Sequence, residues 1–153
     1  MKDDLSDLNI KFVMEKQRAA GCFIEYNNKF LILYRPKTQH QSNEWGLVGG
    51  KIDSGESPVQ ALFKKIMAEI GFDASNENPE FLGNFILQYP NGDWDFFAYR
   101  IKLKQPITPQ LDTIGCLDYK WVTPEECFSM TNLMQGLYVL LKEVGYIKDG
   151  HLS

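Results

Sequence analysis

The chain has 153 residues, of which 44% are hydrophobic and 13% aromatic, and its formal net charge is -4. This length and composition predict one globular domain with a sizeable core and exclude a mainly disordered chain. The negative charge argues against a nucleic-acid duplex as the main partner, and no apolar run is long enough to predict a membrane-spanning helix.

Three cysteines, Cys22, Cys116 and Cys127, are an odd number without the spacing of zinc ligands. They predict buried thiols in a reducing compartment. The N-terminus, MKDDLSDLNIKF, is too charged to predict a signal peptide, so we expect a cytoplasmic protein. Residues 1–19 are predicted to form an N-terminal extension, and residues 20–153 the domain itself.

The first predicted elements are two strands over residues 21–26 and 29–34, which are both apolar runs. Asn27 and Asn28 lie between them, and because asparagine tolerates positive φ, they predict a tight hairpin. Arg35 follows the second strand directly and begins a polar loop.

The stretch at 45–72, WGLVGGKIDSGESPVQALFKKIMAEIGF, predicts a strand, a glycine loop and a helix. The pair Gly49–Gly50 allows backbone to approach a ligand closely. Ser57 and Gln60 predict a capping box at the start of the helix, and Gly71 predicts its end. The rest of the chain predicts strands over 80–89, 94–103 and 118–122, a long loop over 104–117, a helix capped by Thr123, and a closing helix over 132–144.

The central stretch resembles the Nudix box, G-x5-E-x7-R-E-U-x-E-E-x-G-U, the signature of hydrolases that cleave nucleoside diphosphates linked to another group. Lys65 and Ala68 stand where the family has two of its helix glutamates. The resemblance covers about residues 20–145 and implies an α/β fold, namely an α/β/α sandwich with a mixed β-sheet. The matching residues are Gly50, Glu56, Lys64 in place of the arginine, Ile66, Glu69, Gly71 and Phe72.

Residues 67–71 are also similar to the box of the GDP-mannose mannosyl hydrolases, which loses the same two glutamates and keeps the last one. In those enzymes the metal also rests on a glutamine, and a neighbouring histidine serves as base. Gly115 and Cys116 occupy the corresponding places here, so the narrower similarity ends at that part of the site. The similarity of residues 67–71 still makes a nucleotide sugar one candidate substrate.

The Nudix resemblance implies a Mg²⁺ (or Mn²⁺) site, because a hard cation on the phosphate oxygens stabilises the charge that accumulates there. Candidate ligands are Glu69, Glu56 and the backbone carbonyls of Gly49 and Gly50, and the two glutamates are also the candidate catalytic residues. The charges of Lys65 and Glu69 cancel, so that helix face is formally neutral, and we expect the ion to bind weakly.

No general base stands out in the sequence. Histidine occurs only as His40, in a polar loop, and His151, in the C-terminal tail. Asp112 and Asp118, in or beside the long loop, are the neighbouring carboxylates, and none of the four is favoured.

Arg35, Lys51 and Lys65 are candidate phosphate ligands, with a surface ion pair as the alternative for Arg35 and a solvated side chain for Lys65. Trp94, with its neighbour Phe96, is a candidate to stack on a nucleobase, although aromatic residues on a strand are more often part of a core. The last candidate contact lies at the predicted start of the closing helix, where Asn132 is either a base-reading residue or an N-cap.

These features predict a Nudix-type hydrolase of a nucleoside diphosphate linked to another moiety. The alternative is a catalytically weak or inactive Nudix domain that binds a nucleotide as a module. In either case the partner is a small-molecule nucleotide derivative rather than a membrane or a duplex, and a homodimer is an open alternative.

Overall fold

A computed structural model describes residues 16–36, 43–90 and 92–148 of the chain. These residues form one mixed sheet with helices on both of its faces, which confirms the predicted α/β/α sandwich. None of the helices within the described ranges is long and apolar enough to cross a membrane. The elements are β1 (Gln17–Tyr26), β2 (Lys29–Arg35), β3 (Glu44–Lys51), α1 (Pro58–Ile70), β4 (Glu80–Tyr89), β5 (Gly92–Lys102), β6 (Asp118–Val122), α2 (Pro124–Phe128) and α3 (Leu137–Glu143).

The six strands lie in the order β4-β5-β1-β3-β2-β6, so the first strand of the sequence is near the middle of the sheet. β1 runs parallel to β5, and every other described pair is antiparallel. In this register Gly21 on β1 lies between Ala98 on one side and Gly49 on the other. The glycine loop of the Nudix-like stretch is therefore placed against the central strand.

Alternation along β1 divides the interior into two cores, because successive side chains of a strand point to opposite faces. Cys22 and Ile24 pack in the core beneath α1, while Phe23 packs in the core beneath α3. All three side chains are fully buried. The helices thus cover both faces of the central strands and leave a cleft where β3, β5 and the segment before α3 meet.

The local signals at the hairpin and at α1 are confirmed. Asn27 and Asn28 have φ values of 55° and 66°, as a tight hairpin turn requires. The Ser57 side chain accepts the Gln60 amide, and the Gln60 side chain accepts the Ser57 amide, which forms the complete capping box. Gly71 ends the helix with φ 69°, and its amide donates to the Met67 carbonyl.

The first strand and the closing helix begin at different residues from those that the sequence predicts. β1 begins at Gln17, so residues 17–19 of the predicted extension belong to the sheet, and residues 1–15 lie outside the described part. The closing helix begins only after Gly136, whose φ is 95°, so the predicted helix start and N-cap role of Asn132 are wrong. The reason is a competing pairing, because the Trp45 amide donates to the Asn132 carbonyl and holds that segment against β3.

Candidate functional site

A cavity of about 480 Å³ lies over the middle of the sheet, against the segment that leads into α3. Its lining has two parts of different chemistry. The charged part consists of Arg35, Glu44, Lys51, Lys65 and Glu69 with the backbone of Gly49 and Gly50, and the apolar part is mainly Leu87, Tyr89, Trp94, Phe96, Met134 and Leu140. The structure therefore brings together six of the predicted site residues around the glycine loop, with Trp94 in the same cavity.

Gly49 brings the backbone of the loop into contact with β1. Its φ is 144°, and a Cβ at this position would lie only 2.1 Å from the Ala20 carbonyl oxygen. Such a backbone conformation and such a close approach both require glycine. The Gly49 amide then donates to Oε1 of Glu69 at 2.9 Å, which ties the loop to the last turn of α1.

Glu69 is the one buried charged residue in the described part of the chain, with 9% of its surface exposed. Arg35 holds it in a bidentate ion pair, with Nη1 donating to Oε2 at 2.9 Å and Nη2 to Oε1 at 3.2 Å. Planar pairing of this kind is the strong form of a charge-assisted hydrogen bond. The buried carboxylate is thus compensated by protein donors.

Arg35 makes further contacts that fix its guanidinium. Nη2 also donates to the Leu47 carbonyl at 2.6 Å and to the Gly49 carbonyl at 3.3 Å, and Nη1 points at Sγ of Cys116 at 3.9 Å. Burial by itself would lower the pKa of the guanidinium, but the hydrogen bonds and charge of Glu69 outweigh that effect and raise it. Arg35 therefore carries a permanent positive charge here.

Cys116 is one of the two residues at the places where the narrower resemblance expects a glutamine and a histidine. Burial, and then the nearby negative charge of Glu69, raise the pKa of its thiol to about 11. The thiol is consequently neutral at physiological pH and cannot take over the proton transfer of a histidine.

Lys51 and Lys65 supply the remaining positive charge of the cavity. A Cβ on Gly50 would lie 3.1 Å from Cε of Lys65, so the lysine stem covers that glycine. Within residues 16–36, 43–90 and 92–148 neither lysine forms an ion pair with a carboxylate. Both ammonium groups remain able to meet an anion in the cavity.

Glu56, predicted as a ligand and catalytic residue, does not line the cavity. Its carboxylate pairs with Lys64 and accepts the Asp53 amide at 2.9 Å. The hydrogen bond from Lys64, followed by the one from the Asp53 amide, lowers the pKa of Glu56. These contacts join the loop after β3 to α1, which gives Glu56 a structural reason to be present.

Trp94 and Phe96 line the apolar part of the cavity, and Gly21 leaves the room that the Phe96 ring needs. The Tyr89 hydroxyl donates to the Gln135 carbonyl at 2.9 Å and connects the β4–β5 hairpin to the segment before α3. Asn132 does not line the cavity, and its predicted base-reading role has no support from this position.

Sequence reasoning missed Glu44, Tyr89, Met134 and Gln135, which also line the cavity. Glu44 is the residue opposite Arg35 in the β2–β3 register, so the strand pairing contains a signal for it. The others come together from positions far apart in the chain, and no local pattern connects them.

The candidate general bases gain no support from the structure. Oδ1 of Asp112 accepts the amides of Ile114, Gly115 and Cys116 at 3.1, 2.7 and 3.1 Å and organises the long loop. Asp112 and Asp118 do not line the cavity, and both histidines lie outside the described residues.

The donors around Glu69 do not fit the family's metal ion. The described ranges contain no group of three or more histidine, cysteine or acidic side chains arranged to hold an ion. Both oxygens of Glu69 already accept N–H donors, and the Gly49 carbonyl accepts from Arg35 as well. A cation at these oxygens would have to share the carboxylate with the positive guanidinium or displace it.

The chain is similar in sequence to a known domain family and to several characterised proteins. The family model for the NUDIX domain matches residues 15–144. The 8-oxo-dGTP diphosphatase of Proteus vulgaris is 35% identical over 66 residues, which are 41% of this chain and 59% of that protein. The CTP pyrophosphohydrolase of Escherichia coli is 32% identical over 62 residues, 40% of this chain and 46% of its own length. The chain thus spans about half the length of these two relatives.

A longer match is the RNA pyrophosphohydrolase of Campylobacter jejuni subsp. doylei, 30% identical over 131 residues, with 75% of this chain and 84% of that protein covered. Among solved structures, the MutT NUDIX hydrolase of Burkholderia pseudomallei has a TM-score of 0.71 at 18% identity and covers 88% of this chain and 99% of its own. The NUDIX domain of Shewanella oneidensis NrtR, complexed with ADP ribose, has a TM-score of 0.68 at 18% identity, with 91% and 93% covered. Likeness at this identity shows a shared fold.

Proposed function

Because the chain belongs to the NUDIX domain family, we propose that its cavity binds a nucleoside diphosphate linked to another moiety and that the protein hydrolyses this ligand. The family membership confirms the Nudix resemblance of the central stretch. None of the relatives described above is named for activity on GDP-mannose or a nucleotide sugar. The narrower similarity and a nucleotide-sugar substrate therefore stay predictions.

The observation that carries this proposal is the two-part lining of one cavity. Lys51 and Lys65 offer positive charge beside the Gly49–Gly50 backbone, which suits phosphate groups. Trp94 and Phe96 line the same cavity with aromatic surface, which suits a nucleobase. A ligand with a phosphate chain at one end and an aromatic ring at the other fits both parts at once.

The residues of the chain can bind and orient such a ligand. Negative charge accumulates on the phosphate oxygens when water attacks phosphorus, and the two ammonium groups would stabilise that charge. Nudix hydrolases generally use divalent metal ions such as Mg²⁺. Since Arg35 holds the carboxylate predicted to carry that ion, we assign no catalytic step to a metal here.

A second candidate function is a nucleotide-binding module without turnover. The specific observation that favours it is the bidentate Arg35–Glu69 pair, which occupies the remaining carboxylate of the box. Such a module would bind a nucleotide in the same cavity and release it unchanged.

Incubation with ADP-ribose, a nucleotide sugar, CTP and 8-oxo-dGTP, each with and without Mg²⁺ or Mn²⁺, separates the two candidates. Chromatography of the products reports turnover, and calorimetry reports binding. Turnover by the wild type supports the hydrolase, whereas saturable binding with intact ligand recovered supports the module. Absence of both on every compound would contradict the proposed site.

Variants locate the activity in the cavity. Replacing Lys51 and Lys65 by glutamine should weaken binding or turnover by roughly tenfold or more, since each removes a charged hydrogen-bond donor. The matched control replaces Lys102 and Lys104, two exposed lysines outside the cavity, and should leave activity unchanged.

A further inference from the structure

We propose that the guanidinium of Arg35 is a built-in cation that takes the place of a divalent ion at Glu69, so that the cavity binds the phosphates of its ligand without a bound metal. The part about ligand binding rests on the proposed function, whereas the part about Arg35 and Glu69 stands on their geometry alone.

The Glu69 carboxylate already has three N–H donors around it. A carboxylate has about four lone-pair directions available to donors or metal ions. Oε1 of Glu69 accepts both the Gly49 amide and Nη2 of Arg35, and Oε2 accepts Nη1. An ion approaching Oε2 would therefore meet the positive guanidinium at the same carboxylate, which disfavours a second cation by charge and by space.

Arg35 is held in this position by several other contacts. Its Nη1 points at Glu69 and Cys116, and its Nη2 at Glu69 and the Leu47 and Gly49 carbonyls. Displacing it would break these contacts and leave the Leu47 carbonyl without its short 2.6 Å donor. Because both terminal nitrogens are directed at the protein, Arg35 acts as a positioning residue, and direct contact with phosphate falls to Lys51 and Lys65.

The charge of the cavity also favours one class of ligand. Arg35 and Glu69 together are formally neutral, and Lys51, Lys65 and Glu44 leave the described lining with a formal charge of +1. A diphosphate substituted at both ends carries one negative charge on each phosphate group. The cavity therefore matches a doubly substituted diphosphate, such as ADP-ribose, better than a more highly charged triphosphate.

The Arg35–Glu69 assignment is tested by titrating Mn²⁺ and measuring the free ion by electron paramagnetic resonance. The wild type should show no saturable site that depends on Glu69. Arg35→Gln should free the carboxylate and increase Mn²⁺ affinity by roughly tenfold or more, and the double variant Arg35→Gln/Glu69→Gln should lose that gain. A purely structural arginine would give no such gain.

If Arg35→Gln does not fold, the comparison of wild type with Glu69→Gln and Arg35→Lys decides the same point. Arg35→Lys keeps the positive charge and should continue to exclude Mn²⁺. A saturable Mn²⁺ site in the wild type that Glu69→Gln removes would overturn the assignment, because the carboxylate would then be open to a metal.

The ligand part is tested by calorimetric titration with ADP-ribose in EDTA and in Mg²⁺. We expect equal affinity in both buffers, and weaker binding of ATP in EDTA. Binding that disappears in EDTA would overturn the inference while leaving the proposed function in place. Absence of binding in both buffers would contradict the proposed function, and the Mn²⁺ titration would then decide the Arg35–Glu69 assignment by itself.

Discussion

At the scale of single residues, the site depends on Gly49 and Glu69, which hold each other in place across the cavity. The Gly49 amide is one of the donors to the buried carboxylate, and the positive φ of Gly49 allows its close approach to β1. A carboxylate buried to this extent is stable only when donors surround it. Loss of the glycine geometry should therefore disturb both the sheet and the charged part of the cavity.

Gly49→Ala should lower the free energy of unfolding by at least about 3 kcal/mol, since its Cβ would lie 2.1 Å from the Ala20 carbonyl oxygen. The control is Gly55→Ala, which also has positive φ, at 85°, but no atom within 4 Å of the added carbon. It should cost only about 1 kcal/mol. Urea denaturation of both variants measures the difference, and equal losses would show that the contact with β1 is unimportant.

At the scale of elements, α1 shows which features the sequence could predict. Its cap was predictable because Ser57, Pro58 and Gln60 are close in sequence and interact through the local backbone. The contact between Tyr89 and Gln135 was not, since it depends on how the hairpin and the segment before α3 meet. The predicted start of α3 at Asn132 was wrong for a similar reason, because pairing with Trp45 holds Asn132 outside the helix.

The cap of α1 should contribute measurably to stability. Ser57→Ala removes the acceptor of the Gln60 amide and should lower the free energy of unfolding by about 1 kcal/mol. Ser54→Ala changes an exposed serine in the preceding turn and should have little effect. Chemical denaturation compares the two, and equal effects would mean that the capping box does not stabilise the helix.

The face of α1 that carries Lys65, Ala68 and Glu69 should accept a metal once carboxylates are restored. Lys65→Glu/Ala68→Glu places three carboxylates at the spacing of the Nudix box, so Mg²⁺ should bind the folded state and raise the melting temperature. The wild type should show a smaller response, because Arg35 neutralises its buried glutamate.

The matched control for that variant is Val139→Glu/Lys142→Glu on α3. With Glu143 it has the same spacing and the same charge change, at exposed positions that do not line the cavity. Its melting temperature should respond to Mg²⁺ no more than the wild type does. Equal responses of the two double variants would mean that the α1 face does not point at an ion site.

At the scale of the whole molecule, the two cores on either side of the sheet enclose all three cysteines of the chain. The sequence predicted buried thiols correctly, because cysteine without a metal or disulfide pattern behaves as a small apolar residue. The general fold was equally predictable from the order of strands and helices. The ion pair of Glu69 was not predictable, because its partner Arg35 lies on β2, 34 positions away, and the box pattern does not include that residue.

The three thiols should therefore report global unfolding. Burial raises the pKa of all three, to about 11 for Cys116 and about 12 for Cys127. Because a raised pKa leaves the thiol neutral, little reactive thiolate exists in the folded state even at mildly alkaline pH. A disulfide reagent should react slowly with the native protein and rapidly with three thiols in denaturant. Fast reaction of one thiol in the native state would contradict the burial of that core.

The central claim, that the charged and aromatic parts of the cavity bind one nucleotide derivative, is tested most directly by nuclear magnetic resonance. ADP-ribose is titrated into the labelled wild type in the presence of EDTA. We predict that the backbone amides of Gly49, Gly50 and Lys51 and the indole of Trp94 shift together along one saturation curve. Shifts confined to other surfaces, or different saturation curves for the loop amides and the indole, would contradict the claim.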